Sequence, residues 1–229
     1  MSGVILLDKK GFEAEREKLF VKYKVRIAIR EGSKLIANFP DNIEALKYIV
    51  QRQKREDKLT DEEAEKLQAE MEEDAETSIE ETTGKCVFLK DEKGIYIRPR
   101  HIKGMLKEVA LRCMNMRGGR DYINHAIHVT PDKIYLMRNG EVIKQPDKVE
   151  AYPISVMTKQ GRRSSVKVME VLYPPVEAEF WIWIPKELAR SKFTEEVMKK
   201  MMIYASEVGL LGERSLGEGK FDIIEMRRC

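Results

Sequence analysis

Residues 177–184 read E-A-E-F-W-I-W-I, and this short run is the part of the sequence that decides the fold. It is too apolar for a strand with one face in water, so it predicts a central strand covered by helices on one face. Trp181 and Trp183 are two residues apart and therefore share one face of that strand. Such a pair more often packs in the core, and the alternative is a platform for stacking bases.

The chain after this strand predicts one helix, one loop and one further strand. Thr194 is a candidate N-cap for a helix that runs through Val208. The stripe expected to be buried on this helix comprises Met198, Met201, Met202 and Ala205. A glycine-rich loop follows, with Gly209, Gly212, Gly217 and Gly219, and residues 221–226 form the last strand.

The spacing of this loop excludes the common nucleotide-binding motifs. A P-loop needs G-x-x-x-x-G-K-[ST], but Gly217 lies five positions after Gly212 and is followed by Glu218. Dinucleotide-binding loops lead from a strand into a helix, whereas this loop leads from a helix into a strand. We therefore expect no ATP and no other cofactor. Two interpretations remain: a backbone-exposed loop that approaches a sugar-phosphate chain with Arg214 and Lys220, or a helix C-cap with tight turns.

Upstream of the central strand, periodicity predicts one more strand and one more helix. Residues 20–30 alternate apolar and mainly basic side chains, which indicates a strand with a basic outer face. Within residues 102–116, Lys103 and Lys107 lie on a different helix face from the apolar stripe. That stripe comprises Ile102, Met105, Leu106, Val109, Ala110 and Cys113.

Turn signals predict three hairpins. Residues 86–89 and 95–98 flank the turn D-E-K-G, and Asn139-Gly140 is a strong signal for a type I′ turn. Residues 149–157 and 166–172 flank a longer loop. That loop is expected to form a basic finger with Lys159, Arg162 and Arg163 at its tip.

An acidic segment interrupts the strands. Asp41 is a candidate N-cap for a helix to Gln53, and Thr60 with Glu63 forms a capping box for an acidic helix to about residue 80. We expect residues 41–82 to be a helical insertion in a body formed by residues 1–40 and 83–229. The fold class expected for the body is α+β, with a ferredoxin-like antiparallel sheet and helices on one face.

The net charge of +3 conceals a strong asymmetry. Residues 56–81 carry −11, so the other 203 of the 229 residues carry +14. A basic body attracts polyanions because binding releases condensed counterions, although charge balance for solubility is the alternative. The high charged fraction of 35% is typical of thermophilic proteins. With no apolar run of membrane-spanning length and no signal peptide, we expect a cytoplasmic protein and no membrane partner.

Two motifs resemble the RAMP superfamily, the repeat-associated RNA-binding subunits of CRISPR effector complexes. That family's terminal loop, G-x-G-x-x-R-x-x-G-x-G-x-F, is similar to the sequence here at Gly212, Arg214, Gly217, Gly219 and Phe221, although the first glycine pair is shifted. Residues 96–110 resemble its G-S-x-x-K-G-x-x-R element, with Lys107 in place of the arginine and Arg100-His101 in place of Gly-Ser. The layout is also similar to small solitary RAMP-like proteins encoded by phages, and for a phage-encoded protein the expected location is the host cytoplasm.

The resemblance implies an RRM-like ferredoxin fold that binds single-stranded RNA, with side-by-side oligomers or related subunits as further partners. The residues it implies for the backbone groove, the finger and the loop are Arg98, Arg100, His101, Lys103, Lys107, Lys159, Arg162, Arg163, Arg214 and Lys220. No RNP1 signature is present, so binding is expected to be largely electrostatic and to leave RNA and single-stranded DNA undistinguished.

Chemistry is a second hypothesis. His101 is the best-placed general base for metal-independent RNA cleavage, and a phosphate-contacting or capping role is its alternative. His125 and His128 have no evident third ligand, so no zinc is expected. A third hypothesis assigns the acidic helices to protein interaction, either with a basic partner or as a nucleic-acid mimic over the groove.

Overall fold

A computed structural model describes residues 9–40, 60–78, 85–158 and 161–229. The helices are α1 (Lys9–Leu19), α2 (Asp61–Ser78), α3 (Pro99–Glu108), α4 (Gly119–His125), α5 (Lys186–Ser191) and α6 (Glu195–Val208). The strands are β1 (Phe20–Ile29), β2 (Leu35–Ile36), β3 (Phe39–Pro40), β4 (Lys85–Val87), β5 (Leu89–Asp91), β6 (Gly94–Ile97), β7 (His128–Thr130), β8 (Ile134–Arg138), β9 (Glu141–Val142), β10 (Lys148–Thr158), β11 (Gly161–Leu172), β12 (Glu177–Pro185) and β13 (Phe221–Arg228). The helix predicted at residues 41–53 lies outside the described residues.

An eight-stranded sheet forms the centre of the fold. Its path runs β13-β1-β12-β8-β6-β5, with β7 also paired to β12 and β9 to β8. In the chain, α3 and α4 lie between β6 and β7, and α6 lies between β12 and β13. Because β13, β1, β12 and β7 are antiparallel neighbours in that order, the fold is the predicted α+β, ferredoxin-like arrangement.

The inner face of this sheet holds the main core. The alternation in β1 places Val25 and Ile27 in the core, and β12 adds Phe180 and Ile182 to the same face. Helices α3 and α6 cover this face with the stripes that periodicity predicts, apart from one position. Thr194 caps α6 by accepting the N–H of Val197, as expected. Most of the apolar burial that stabilises the protein therefore lies between one sheet face and two helices.

Cys113 is the position of the predicted α3 stripe that is wrong. The α-helix ends at Glu108 and continues as a π-helical turn, Val109–Cys113. A π turn has more residues per turn than an α-helix, so it rotates the following side chains away from the stripe. Val109 and Ala110 stay buried, whereas Cys113 is exposed.

Neither tryptophan belongs to the main core cluster, but Trp183 is buried as the preferred prediction has it, whereas Trp181 is only half-buried. They project from the outer face, meaning the side of the eight-stranded sheet opposite to α3 and α6, where Trp183 is paired with Lys22 and Trp181 with Lys24. Trp183 is 8% exposed and donates its Nε1–H to Thr130 Oγ1 at 2.9 Å. Trp181 is partly exposed. Alternation shows that two residues share a face, but it does not show which face the helices cover.

A second sheet, which the sequence did not predict, packs beside the first. It runs β10-β11-β4-β3, with β2 also paired to β11. Strand β4 is parallel to β11 and places Cys86 opposite Met169. The predicted pairing of residues 86–89 with 95–98 is therefore only partly correct, since the hairpin joins β5 to β6. The buried Glu170 carboxylate links the segments by accepting the Phe88 N–H at 2.9 Å.

The predicted Asn139-Gly140 turn is confirmed, whereas the longer loop predicted between residues 157 and 166 is mostly strand, because β11 already begins at Gly161. Asn139 and Gly140 have φ of 54° and 84°, the left-handed values that a type I′ turn requires, and they connect β8 to β9. Strands β10 and β11 form the long hairpin, which is paired from Lys148 to Thr158.

The acidic helix α2 packs on the sheet through an apolar cluster of its own. The capping box is present, because the Thr60 N–H donates to Glu63 Oε2 at 2.9 Å and the Glu63 N–H donates to Thr60 Oγ1 at 3.3 Å. Ala64 and Met71 then pack against Leu89 and Tyr96. Of the predicted insertion at residues 41–82, residues 60–78 are described, and the boundaries of that insertion stay a prediction.

Close backbone approach explains two glycines of the C-terminal loop. The Gly212 N–H donates to Ile36 O at 2.9 Å, and a Cβ at this position would lie 2.9 Å from the same oxygen. Gly219 has φ of 73°, and its Cβ would collide with the carbonyl oxygen of Leu210. Gly217 differs, because its φ is 85° but a Cβ there would meet open space. The loop is thus a packed element with an exposed tip.

Substitution of Gly219 by alanine should destabilise the fold more than substitution of Gly217. Both variants place alanine in the left-handed region, at a cost of about 1–2 kcal/mol. Only Gly219→Ala also collides with backbone, so its free energy of unfolding should fall by more than that of Gly217→Ala. Urea denaturation measures the difference, and equal losses would contradict this packing.

Candidate nucleic-acid interface

The N-terminus of α3 carries four of the predicted binding residues, and its geometry gives His101 a capping role. Arg98 is the N-cap, and its backbone N–H donates to His101 Nδ1 at 3.1 Å. Burial, followed by the charges of Arg100 and Arg98, lowers the pKa of His101 to about 3. The imidazole is therefore neutral near pH 7 and satisfies a helix-end N–H in place of the usual Glu or Gln.

Arg98 and Arg100 are ion-paired with the acidic helix. Arg98 Nε lies 3.4 Å from Glu70 Oε1, and Arg100 Nη1 lies 2.7 Å from the same oxygen. Arg98 is only 7% exposed, and its Nη2 is also 3.8 Å from Glu73 Oε1. Helix α2 therefore holds carboxylates against two of the arginines that the resemblance implies for a phosphate groove.

Lys103 and Lys107 occupy the next two turns of the same helix. Lys103 Nζ donates to the backbone oxygen of Asn124 at 2.9 Å, and Lys107 Nζ donates to Asn124 Oδ1 at 3.3 Å. Burial lowers the pKa of both amines, with a further contribution from Lys107 at Lys103 and from Arg120 at Lys107. Positive charge is therefore concentrated here, and neutral oxygens rather than carboxylates hold the two ammonium groups.

Two ion pairs bring the glycine loop beside α3 and the base of the hairpin. Arg214 Nη1 lies 2.9 Å from Glu108 Oε2 of α3. Lys167 Nζ of β11 lies 3.4 Å from Glu213 Oε1 of the loop. The glycine loop thus lies beside α3 and beside Lys167, whereas the predicted finger residues Arg162 and Arg163 lie farther along the hairpin.

A cleft of about 540 Å3, which we call the loop cleft, opens where α3 and the glycine loop meet α2. Cationic side chains from three elements line it: Lys66 of α2, Arg100 and Lys107 of α3, and Arg214 of the glycine loop. The acidic groups in its wall are Glu63 and Glu70.

A second cleft of about 530 Å3, the sheet cleft, lies on the other side of Arg100. Arg98, Arg100 and Lys103 line it together with Arg16 and His128, which the sequence analysis did not select as binding residues. Glu70 and Asp132 are its acidic groups. No sequence motif marks Arg16 as a binding residue, and its only signal is its position just before the predicted strand at residues 20–30. For His128 the sequence suggested only a metal ligand.

The remaining predicted residues lie farther from these clefts or beyond the described side chains. Lys220 lines neither cleft, and its Nζ lies 3.4 Å from Glu207 Oε2. Arg162 and Arg163 belong to β11 at the tip end of the hairpin, opposite Met157 and Val156. Lys159 falls outside the described residues. With about 3.3 Å per strand residue, Arg162 is about 17 Å along β11 from Lys167.

The described part of the chain offers neither a candidate metal centre nor a candidate membrane-spanning helix. No group of three His, Cys, Asp or Glu in that part is arranged to hold a metal ion. No helix within it combines the length and apolar character needed to cross a membrane.

Comparison with known proteins gives a likeness in fold. No protein-family model matches the sequence, and no curated protein does. The structure is similar to a chain in a cryo-EM structure of the type III-B Cmr-beta bound to cognate target RNA, with a TM-score of 0.50 and 12% identity. The match covers 95% of this chain and 63% of that chain, so the protein spans less than two thirds of its structural neighbour. At this identity the likeness concerns the fold alone, and it agrees with the fold that the resemblance implies.

His101, which is neutral in the folded protein, should make the protein less stable in mild acid. Its folded pKa of about 3 lies below the unfolded value near 6.5, so the unfolded chain gains a proton first and stability falls between pH 6.5 and 3. At pH 5 the loss from this one group should be about 2 kcal/mol. Urea unfolding at pH 7 and pH 5 measures it.

His101→Gln is the matched control, because glutamine accepts the same N–H without titrating. We expect it to unfold at pH 7 much as the native protein does and to lose less stability at pH 5. An identical pH dependence for both proteins would show that His101 is not buried in neutral form.

Proposed function

We propose that the protein binds single-stranded nucleic acid, RNA rather than DNA, along the loop cleft. In this proposal the phosphate chain follows the polar side of α3, passes the tip of the glycine loop and reaches the β10–β11 hairpin. Binding is mainly electrostatic, so it depends weakly on sequence and strongly on salt.

The observation that carries the proposal is the convergence of α2, α3 and the glycine loop around one cleft. Lys107 of the loop cleft and Lys103 of the adjoining sheet cleft are the central residues, because their half-buried ammonium groups both bond to oxygens of Asn124. A phosphate replaces such neutral acceptors readily, since it adds charge to the hydrogen bond. Arg100 and Arg214 flank the two lysines, and both are ion-paired with carboxylates that a phosphate would have to displace.

The structural neighbour also supports the proposal that this protein binds nucleic acid. The matched chain comes from a structure of the Cmr-beta bound to cognate target RNA and shares the fold, although it is longer than this chain. Assembly with further copies or related subunits along the strand belongs to the proposal as well. Size-exclusion chromatography with light scattering, with and without RNA, tests that part.

The endoribonuclease hypothesis receives less support from the geometry. His101 commits Nδ1 to the helix cap, and its lowered pKa makes it a weak proton acceptor. The protein-interaction hypothesis has one observation in its favour, which is the contact of Glu70 with both Arg98 and Arg100. We therefore include α2 in the proposal as a competitor for the arginines.

Replacing Lys103 and Lys107 together with glutamine should weaken RNA binding. If each lysine neutralises one phosphate, the slope of log affinity against log salt should decrease by about 1.4. Fluorescence anisotropy with a labelled 20-nucleotide single strand, repeated over a salt series, measures both the affinity and the slope.

Lys220→Gln is the matched control, because it removes one positive charge outside both clefts and should leave the slope unchanged. The proposal fails if the native protein does not bind at low salt or binds independently of salt. Equal effects of the double variant and Lys220→Gln would place the strand elsewhere on the surface.

Glu70→Gln should strengthen binding, because it frees Arg98 and Arg100 from a competing carboxylate. We expect a severalfold gain in affinity at low salt. Glu73→Gln is the control and should give a smaller gain, because Glu73 is 65% exposed and lies 3.8 Å from Arg98. The same anisotropy titration measures it, and a weaker affinity would show that Glu70 orients the arginines instead of competing for them.

A further inference from the structure

The outer face of the eight-stranded sheet is divided into two chemically different halves. In one half, acidic and basic side chains pair across the strands: Lys24 Nζ is 2.9 Å from Glu179 Oε2, and Arg26 Nη2 is 2.7 Å from Glu177 Oε2. In the other half the cations meet aromatic rings instead. The first half is electrically balanced, and the second is not.

The strand register builds the aromatic half. Trp183 lies between Lys22 of β1 and His128 of β7, and Trp181 lies between Lys24 and Thr130 in the next row. Arg16 of α1 places its guanidinium 4.1 Å from the Trp183 ring centroid, and Lys22 Nζ lies 4.7 Å from that centroid and 5.4 Å from that of Trp181. Neither cation forms an ion pair with a side chain in the described part of the chain.

This arrangement leaves positive charge beside an accessible ring. A cation over an aromatic face keeps its full charge, so it attracts a phosphate while the ring remains available for stacking. Arg16 also lines the sheet cleft, together with Lys103 and His128. Burial lowers the pKa of His128, and the positive charges of Lys103 and Arg16 lower it further. The sheet cleft therefore extends from α3 to Arg16 and His128, which both neighbour Trp183.

We propose that the aromatic half of the outer face is a nucleotide subsite, in which a base stacks on Trp181 while Lys22 and Arg16 contact its phosphates. Trp183 borders the subsite in the neighbouring row but does not stack on the base, because its Nε1–H is already bonded to Thr130 and its ring is covered. The inference rests on the proposed binding of single-stranded nucleic acid and adds a second contact region to the loop cleft.

Intrinsic fluorescence is a direct readout, because the chain has only two tryptophans and both lie on this face. Trp183→Phe leaves Trp181 as the single fluorophore. Titration of this variant with a 20-nucleotide uridine oligomer should quench the tryptophan emission. The quenching should occur over the same concentrations at which the anisotropy of a labelled oligomer rises. Binding by anisotropy without quenching overturns the subsite and leaves the proposed function intact. Absence of binding overturns both.

Paired ligands separate stacking from charge. Trp181→Ala should weaken binding of the uridine oligomer roughly 5- to 100-fold, the loss typical of one stacked base. It should leave unchanged the affinity for an abasic oligomer of the same length, and Trp181→Phe should restore most of the loss. An equal loss for both oligomers would mean that the substitution disturbs the surface, and thermal unfolding of Trp181→Ala checks its folding.

Charge variants on the same strand provide the last comparison. Lys22→Gln should weaken binding, whereas Arg26→Gln, two rows away in the balanced half, should have little effect. Equal effects overturn the division of the face into two halves. If the tryptophan emission changes with protein concentration in the absence of any oligonucleotide, the tryptophans lie in a contact between two copies of the protein. That result would also overturn the subsite.

Discussion

Burial of the inner face of β1 and β12 is the constraint on which the rest of the structure depends. These two strands are paired over nine positions, and one face of both is apolar. Only a helix with an apolar stripe can cover that face, so α3 and α6 lie there. The covering of the core thereby fixes the polar side of α3, and with it Lys103 and Lys107, beside the glycine loop.

The charge asymmetry of the sequence becomes a local arrangement in the fold. The acidic helix lies against the basic end of α3 and does not extend into solvent as an independent segment. Ion pairs of this kind contribute little to stability when they are exposed, but they change what a polyanion must displace in order to bind. The cations of this surface therefore differ in availability: lysines held by Asn124 are the most accessible to phosphate, and arginines held by Glu70 the least.

Local patterns in the sequence predict the elements well, and long-range contacts account for what they miss. Strand alternation, the Thr60 and Thr194 caps and the Asn139-Gly140 turn depend on residues within a few positions, so they are readable in advance. The parallel contact between β4 and β11 joins residues more than 80 positions apart, and no short motif records it. Likewise, the placement of the tryptophans and of Arg16 depends on which sheet face receives the helices. The glycine loop was recognisable, yet the packing that requires Gly212 and Gly219 depends on β2 and on the returning chain.

The edge strand β13 has a consequence for behaviour at high concentration. It ends the path of the main sheet, and its sequence F-D-I-I-E-M-R-R alternates exposed charges with apolar residues. A neighbouring molecule that added a strand at this border would have to strip water from Asp222, Arg227 and Arg228. These charges therefore disfavour edge-to-edge association of copies at β13, where Ile224 is 49% exposed and would otherwise favour it.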